Sequence, residues 1–369
     1  MVLGIDASQA NRKVKSGTEW YAFYLIQEFK KLLRNRSDVQ VRLYVRDQLQ
    51  EDLSKDLPDN FQVKILRWPF KYFWGQIRLS WEMLVNSPDT LFCPAHTIPL
   101  AHPYKTFTTL HDVGFEDYPE LYDPLSRWYH KISARVAVKK AYHIFTVSEF
   151  SKERIIENYS CPQDKITVTY LGIATKRSAE QNVAIFKKYD LIENKYLLFI
   201  GRLEPKKNIL NIVRAYEMAH TDMPLVLAGR KINIKDVEEY LSGRPELQKK
   251  IKFLDYFAES DKAGLYQGAA IFLFPTLYEG FGLPILEAQA LGVPVITSNT
   301  ASNEEIAGQG AVIVDPESHY DISQAIQKLL ENEELRKEKI SFGYENIKRF
   351  AWEECAKKTL EVLLGGSTK

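Results

Sequence analysis

The chain has 369 residues, of which 45% are hydrophobic and 26% charged, and its formal net charge is +1. That length exceeds what one ordinary core serves and suits two domains, and the composition is that of a globular protein, which excludes a disordered chain. The near balance of charge excludes a nucleic-acid binder driven by bulk attraction to phosphate, so nucleic acid is not an expected partner.

Strand-like and helix-like runs alternate from one end to the other. In the first half the strand-like runs are Val2–Asp6, Val39–Val45, Val63–Leu66, Thr90–Cys93, Thr106–Leu110, His143–Val147 and Ile166–Tyr170. Between the first two, Ala22, Leu25, Ile26, Phe29, Leu32 and Leu33 follow the spacing of an amphipathic helix. The pattern restarts with Leu197–Ile200, Leu225–Ala228, Ile251–Leu254, Ile271–Phe274, Val293–Thr297 and Ala311–Val314. These runs are apolar throughout, as strands buried on both faces are. Helical stretches follow at Ile209–His220, Pro284–Leu291, Asp321–Leu330 and Leu335–Ile347.

Such alternation predicts βαβ units and mainly parallel sheet. The reading is α/β: two Rossmann-like, doubly wound domains, 1–175 and 190–350, facing a central cleft, with a polar junction between Gly172 and Tyr196. Ligands of open α/β sheets sit beyond the carboxyl ends of the strands, so the cleft is the expected site. A final helix, Ala351–Leu364, is expected to pack back on one of the domains, ahead of a loose tail, GGSTK. Cys93, Cys161 and Cys355 are few, odd in number and far apart, which fits a reducing compartment, three buried apolar positions and no metal site. No signal-like amino terminus and no span of about 18 apolar residues is present, which predicts a cytoplasmic protein, at most peripheral to a membrane.

Three segments carry chemistry. The first is Tyr278–Ala288, YEGFGLPILEA, directly after the strand Ile271–Phe274. Gly280 and Gly282 let backbone come close to a ligand, and Pro284 suits the start of a helix. The amides of Phe281, Gly282 and Leu283 would then seat an anion at a helix N-terminus, while Glu279 and Glu287 can each accept sugar or ribose hydroxyls. An ordinary capped helix is the alternative. The second is GRLEPKKN, Gly201–Asn208, where Arg202 and Lys207 are placed to converge on one anion such as a diphosphate; a solvated charged loop is the alternative. The third is His111-Asp112 at a strand's carboxyl end, set against the commoner structural histidine. Ser16-Gly17, in the loop after the first strand, is a further candidate for backbone contact with phosphate or acceptor, or an ordinary helix start.

Taken together, GRLEPKKN, LAG at Leu227–Gly229, FPTLYEGFGLPILEAQALGVPVITSN, VDP at Val314–Pro316, TLHDVGF with its following YPE, and TVSEFSK resemble the retaining glycosyltransferases of the GT-B fold, the family 4-like group with many bacterial mannosyl- and glucosyltransferases. The resemblance runs along nearly the whole chain. It implies an acceptor-binding first domain and a nucleotide-sugar-binding second one. Arg202 and Lys207 would bind the donor diphosphate and stabilise the leaving nucleotide, and Glu287 would hold the ribose. Glu279 and the Phe281–Leu283 amides would hold the sugar hydroxyls, His111 would lie beside the anomeric centre, and Gly17 would approach the phosphate. It further implies transfer with retention, no metal and no cofactor, the nucleotide sugar being a substrate. One departure stands out: where relatives often carry a second glycine and a basic residue, this chain has Glu19 and Trp20.

The HDVGF and YPE segments look like mannosyltransferases of surface-polysaccharide pathways, which favours GDP-mannose, with UDP-glucose second and a glycan or lipid-linked acceptor. An epimerase, a phosphorylase or a catalytically silent sugar-nucleotide binder are the rival readings. Finally, RWPFKYFWGQIRLSWEML, Arg67–Leu84, mixes aromatic and basic residues as a membrane-surface segment does, against a loop and helix packing on the first sheet.

Overall fold

A computed structural model describes residues 1–70, 72–174 and 182–365. Residues 175–181 of the predicted junction, Lys71 of the aromatic–basic stretch and the last four residues of the predicted tail lie outside the described residues. The chain divides into two compact units: Met1–Gly172 joined by the segment from Ala351 onward, and Ile173–Phe350.

In the first unit β1 (Val2–Asp6), β2 (Gln40–Val45), β3 (Phe61–Ile65), β4 (Thr90–Cys93), β5 (Thr106–Thr109), β6 (His143–Thr146) and β7 (Ile166–Val168) form a parallel sheet in the order β3-β2-β1-β4-β5-β6-β7. The order reverses at β1, where Leu3 lies opposite Val41 on one side and Thr90 on the other. Strand β5 reads TFTT yet is buried throughout. Its hydroxyls are satisfied locally: Thr108 donates to the Cys93 carbonyl at 3.0 Å and Thr106 to the Pro103 carbonyl at 2.6 Å, which removes the penalty of burying them.

Helix Gly17–Leu33 buries Ala22, Leu25, Ile26, Phe29 and Leu33 on the sheet side, following the predicted spacing. It starts a turn earlier than its apolar residues do because Ser16 and Glu19 close its amino end: the Ser16 amide donates to Glu19 Oε2 at 3.2 Å and the Ser16 hydroxyl to the same oxygen at 2.6 Å. The carboxyl-terminal helix, Trp352–Leu363, packs against this helix, and the Trp352 ring stacks on Tyr24 with centroids 5.0 Å apart. All three cysteines are free and buried.

The second unit holds β8 (Leu197–Ile200), β9 (Leu225–Ala228), β10 (Ile251–Leu254), β11 (Ile271–Phe274), β12 (Val295–Ser298) and β13 (Ala311–Val314), all parallel, in the order β10-β9-β8-β11-β12-β13. Strands β8, β9, β11 and β12 are buried at every residue, and each Leu, Ile or Phe so covered contributes about 1.5–3 kcal/mol before entropy is counted. Strand β12 begins at Val295, two residues later than its apolar run, because Pro294 has no amide to offer the ladder. The topological switch point falls between β8 and β11, and the loops leaving these two strands are GRLEPKKN and the start of the YEGFG segment.

Where the chain returns to the first unit, Gly172 lies directly against the Trp352 backbone and ring, and a Cβ there would collide with both. Gly172→Ala is therefore expected to overpack this seam and destabilise the protein by about 1–3 kcal/mol, read as a lower urea midpoint with an unchanged slope.

Candidate active site

In the second unit the site is built on the loops that leave β8 and β11. After β8 the backbone passes through Gly201, then makes a 3₁₀ turn, Pro205–Lys207, that Pro205 pre-sets. The turn carries Lys207 inward until it is almost fully buried. There its ammonium forms an ion pair and hydrogen bond with the Glu279 carboxylate from the loop after β11. Arg202, nearer the strand end, stays mostly exposed and faces Glu204 at 3.2 Å. The two cations expected to converge on one anion thus each face their own carboxylate. The reason is local: four residues and a tight turn separate a solvent-facing guanidinium from an inward-facing ammonium.

The backbone of Glu279 is itself held. The Ser302 hydroxyl donates to its carbonyl at 2.9 Å. The Leu277 amide donates to the Lys206 carbonyl at 2.9 Å, tying the two loops together. Asn208, buried with a left-handed φ of 61°, donates through Nδ2 to the Pro275 carbonyl at 3.0 Å and the Pro316 carbonyl at 2.7 Å. One side chain thereby clasps the loops after β8, β11 and β13.

Gly282 caps the helix Leu283–Ala290 with φ +97°, a conformation that favours glycine. The helix begins at Leu283, so Pro284 is its second residue. Phe281 is buried and meets Phe350 edge-on at 5.8 Å, which fixes the turn. Eight residues beyond Glu279, on this helix, Glu287 accepts from Lys262 Nζ at 2.6 Å and from the Tyr266 hydroxyl at 3.0 Å. Burial depresses the Lys262 pKa, but the carboxylates of Glu287 and Glu259 outweigh it and leave it raised. Burial and Glu287 together push the Tyr266 phenol well up, so it remains a donor. The arrangement is two carboxylates, each held by a lysine, on either side of a glycine turn.

In the first unit His111 sits just past the end of β5, nearly fully buried, with the Tyr21 ring edge-on at 4.7 Å. Its Nε2 lies 3.1 Å from the Pro94 carbonyl. A carbonyl can only accept, so Nε2 carries the proton. Burial lowers the His111 pKa, partly offset by the Pro94 carbonyl and the charges of Asp112 and Glu19. The neutral ring then presents Nδ1 as an acceptor. Beside it lies a histidine that the motifs did not single out. His96 is 5.2 Å from His111 and 6.2 Å from His130 between ring centroids, and its pKa is pushed down to about 3 by burial and then by His111.

Gly17 is the first residue of its helix, and a Cβ there would meet nothing within 4 Å. Glu19, in the place of the usual second glycine, is occupied by its contacts with Ser16 and by Arg12 at 2.8 Å. Burial raises its pKa, but those hydrogen bonds and the Arg12 charge bring it below the ordinary range. The same loop borders a cavity of about 630 Å³ beyond the ends of β1 and β2, with Asp6, Arg12, Arg46 and Trp74 among its walls. Among the described residues, no group of three or more His, Cys, Asp or Glu is placed to hold a metal ion.

Sequence comparison places this geometry in a family. Residues 15–177 match the model for Glycosyltransferase Family 4, and residues 183–346 that for Glycosyl transferases group 1. The O-antigen chain mannosyltransferase B of Escherichia coli is 35% identical over 264 residues, 69% of each chain. The serotype-specific mannosyltransferase WbdA of the same species is 26% identical over 74% of this chain, which spans only 34% of that longer protein. The crystal structure of Anabaena Alr3699/HepE in complex with UDP and glucose superposes with a TM-score of 0.74 at 16% identity, over 99% of both chains, and supports the fold. The chain belongs to the family 4 glycosyltransferases, with the two parallel-sheet units of the GT-B fold.

The neutral histidines give a pH signature. With a folded pKa near 3 for His96, the unfolded chain binds the extra proton between about pH 6.5 and 3, so stability is full above 6.5 and falls as the pH drops. The expected slope is on the order of 1 kcal/mol per pH unit for this residue below about pH 6. Chemical denaturation at pH 7.5 and 5 should show the loss, and His96→Gln should lessen it.

Proposed function

We propose that this glycosyltransferase moves a mannosyl residue from GDP-mannose to a glycan or lipid-linked acceptor of a surface polysaccharide, in the cytoplasm and with retention of anomeric configuration. The observation that carries this reading is the pair of lysine-held carboxylates, Glu279 and Glu287, flanking the Gly282 turn at the switch point of the second unit. The donor sugar is inferred from the O-antigen relative and from the HDVGF and YPE segments.

Each residue has a distinct part in the proposal. Donor binding inserts a diphosphate where Lys207 and Arg202 can exchange their carboxylate partners for phosphate oxygens, and these cations offset the charge that grows on the leaving nucleotide. The amides of Phe281, Gly282 and Leu283, at the start of their helix, add to that offset and hold the donor sugar. Glu279, freed from Lys207, accepts sugar hydroxyls; Glu287, oriented by Lys262 and Tyr266, accepts the ribose pair. In the first unit His111 Nδ1 is an acceptor for a sugar hydroxyl, and the helix start at Gly17 borders the acceptor's place. The departing phosphate oxygen takes the acceptor's proton, on the face the acceptor enters. A UDP-hexose donor is the second reading, favoured by the UDP and glucose of the Anabaena structure.

Titration calorimetry with GDP, UDP and ADP tests the donor. GDP is expected to bind most tightly, with Kd raised about tenfold or more in Arg202→Ala and in Glu287→Gln. Preference for UDP would transfer the reading to a UDP-hexose, and unaltered affinity in both variants would remove the donor from this site. Glu279→Gln should bind GDP nearly as the wild type does yet lose about 10²–10³ in kcat with the intact donor.

A further inference from the structure

Glu19 and Trp20 stand where relatives often carry a glycine and a basic residue, and each holds a cation from the loop after β1. Glu19 accepts from Arg12 Nη1 at 2.8 Å. Lys15 Nζ lies 5.4 Å from the centre of the Trp20 ring and 4.8 Å from that of Phe23, and it pairs with Asp52 at 2.6 Å. Side-chain ties thus hold the loop where relatives have glycine, and the loop forms a wall of the cavity of about 630 Å³.

The cavity takes Asp6 from the last residue of β1, Arg46 from the end of β2 and Thr97 from the loop after β4. The first sheet reverses its order between β1 and β4, and open α/β sheets bind ligands at such a place. The loop after β4 also supplies the Pro94 carbonyl that holds His111 Nε2, so one loop serves both the histidine and the cavity. The volume lies within the range of small-molecule sites.

The lining has the chemistry of a saccharide site. Asp6 Oδ1 accepts from the Ser8 amide at 3.0 Å. Burial pushes the Asp6 carboxyl above its ordinary range, the Ser8 hydrogen bonds offset this only in part, and among the described residues no cation pairs with it. A largely buried carboxylate with an oxygen to spare calls for O–H donors, and a vicinal diol supplies a pair of them. Arg12 spends an N–H donor on Glu19 and keeps others for the oxygens of a ligand. The aromatic–basic stretch divides here. Its Leu79 and Met83 pack into the core beside Trp74, whose indole donates to the Leu66 carbonyl at 2.7 Å, while Tyr72 and Phe73 keep exposed rings at the cavity. Tyr129 adds a third such ring from helix Pro124–Lys140. Rings of this kind receive the C–H face of a sugar. Asp6 and Asp47 among the lining cations disfavour a phosphate.

We propose that this cavity takes the acceptor as a neutral saccharide, with Asp6 and Arg12 as specificity-determining residues for its hydroxyls and Glu19 as the positioning residue for Arg12. The inference rests on the reading of the first unit as the acceptor-binding one.

Saturation-transfer NMR of the full chain, with and without GDP, tests this with methyl α-mannobioside, diacetylchitobiose and inorganic phosphate as probes. At least one saccharide should bind, with Kd raised about tenfold in Asp6→Asn and in Arg12→Gln. Asp6→Asn keeps an oxygen for the Ser8 amide, so melting and GDP affinity should be unaltered. Glu19→Gln should weaken saccharide binding in the same direction, again without altering GDP affinity. Absence of a saccharide signal from the wild type, or a signal that Asp6→Asn and Arg12→Gln both leave unaltered, would overturn the proposal. So would phosphate binding that displaces the saccharide and is lost in Arg12→Gln, since the cavity would then be an anion site. Saccharide binding that both variants weaken, in a protein that fails to bind GDP, would sustain this site and overturn the donor reading alone.

Discussion

The ion pair of Lys207 and Glu279 joins the two loops that leave the switch point of the second sheet. Both groups are largely withdrawn from water, and two charges so placed lose much of their hydration. A pair of this kind adds little to stability compared with an apolar replacement. Its value lies in holding an ammonium and a carboxylate in fixed position beside a glycine turn. The rest of the unit is arranged to maintain this. Asn208 adopts a left-handed backbone to reach two neighbouring loops, Ser302 holds the Glu279 carbonyl, and Gly282 opens the helix whose second carboxylate, Glu287, is held by Lys262 and Tyr266. In the proposed reaction a phosphate that displaces Glu279 from Lys207 would release the carboxylate for hydroxyl groups at the same moment, so that donor binding and sugar recognition would be coupled through one exchange of partners.

The first unit follows a different logic. Its candidate histidine, His111, is buried, neutral and hydrogen-bonded to a carbonyl, which suits an acceptor of hydroxyl protons. Glu19 makes the same point at the helix start. A carboxylate stands where relatives often carry glycine, and it spends its hydrogen bonds on Ser16 and Arg12. The loop is rigidified by side-chain contacts, and the helix keeps its capped start without a second glycine.

Much of this was legible in the residues. The short apolar runs became strands because their side chains fill both faces of parallel sheets; seven of the thirteen keep their bounds, and in the other six an end moves by a residue or two, as at Pro294, which has no amide for the ladder. The Gly-rich loop and its glutamates were visible as motifs. Their partners were not. Lys262 and Tyr266 lie on a different helix, more than 20 residues before Glu287, and nothing in their spacing marks them. Asn208 is in the sequence only the end of the GRLEPKKN segment, and its clasp on two further loops appears only in the fold. The separation of Arg202 from Lys207 was hidden for the same reason: a tight turn, and not sequence proximity, decides which way each cation faces. His96 belongs to the same class, since its burial beside His111 depends on elements distant in the chain.

The central claim is transfer from a nucleotide sugar with the anomeric configuration kept, carried out by the charges around the Gly282 turn. Proton NMR of the purified protein turning over GDP-α-mannose in the presence of a mannosylated lipid acceptor tests it directly. The account predicts a new α-anomeric signal at the rate GDP appears, with little free mannose. A β-linked product, or release of GDP matched only by free mannose, would contradict it.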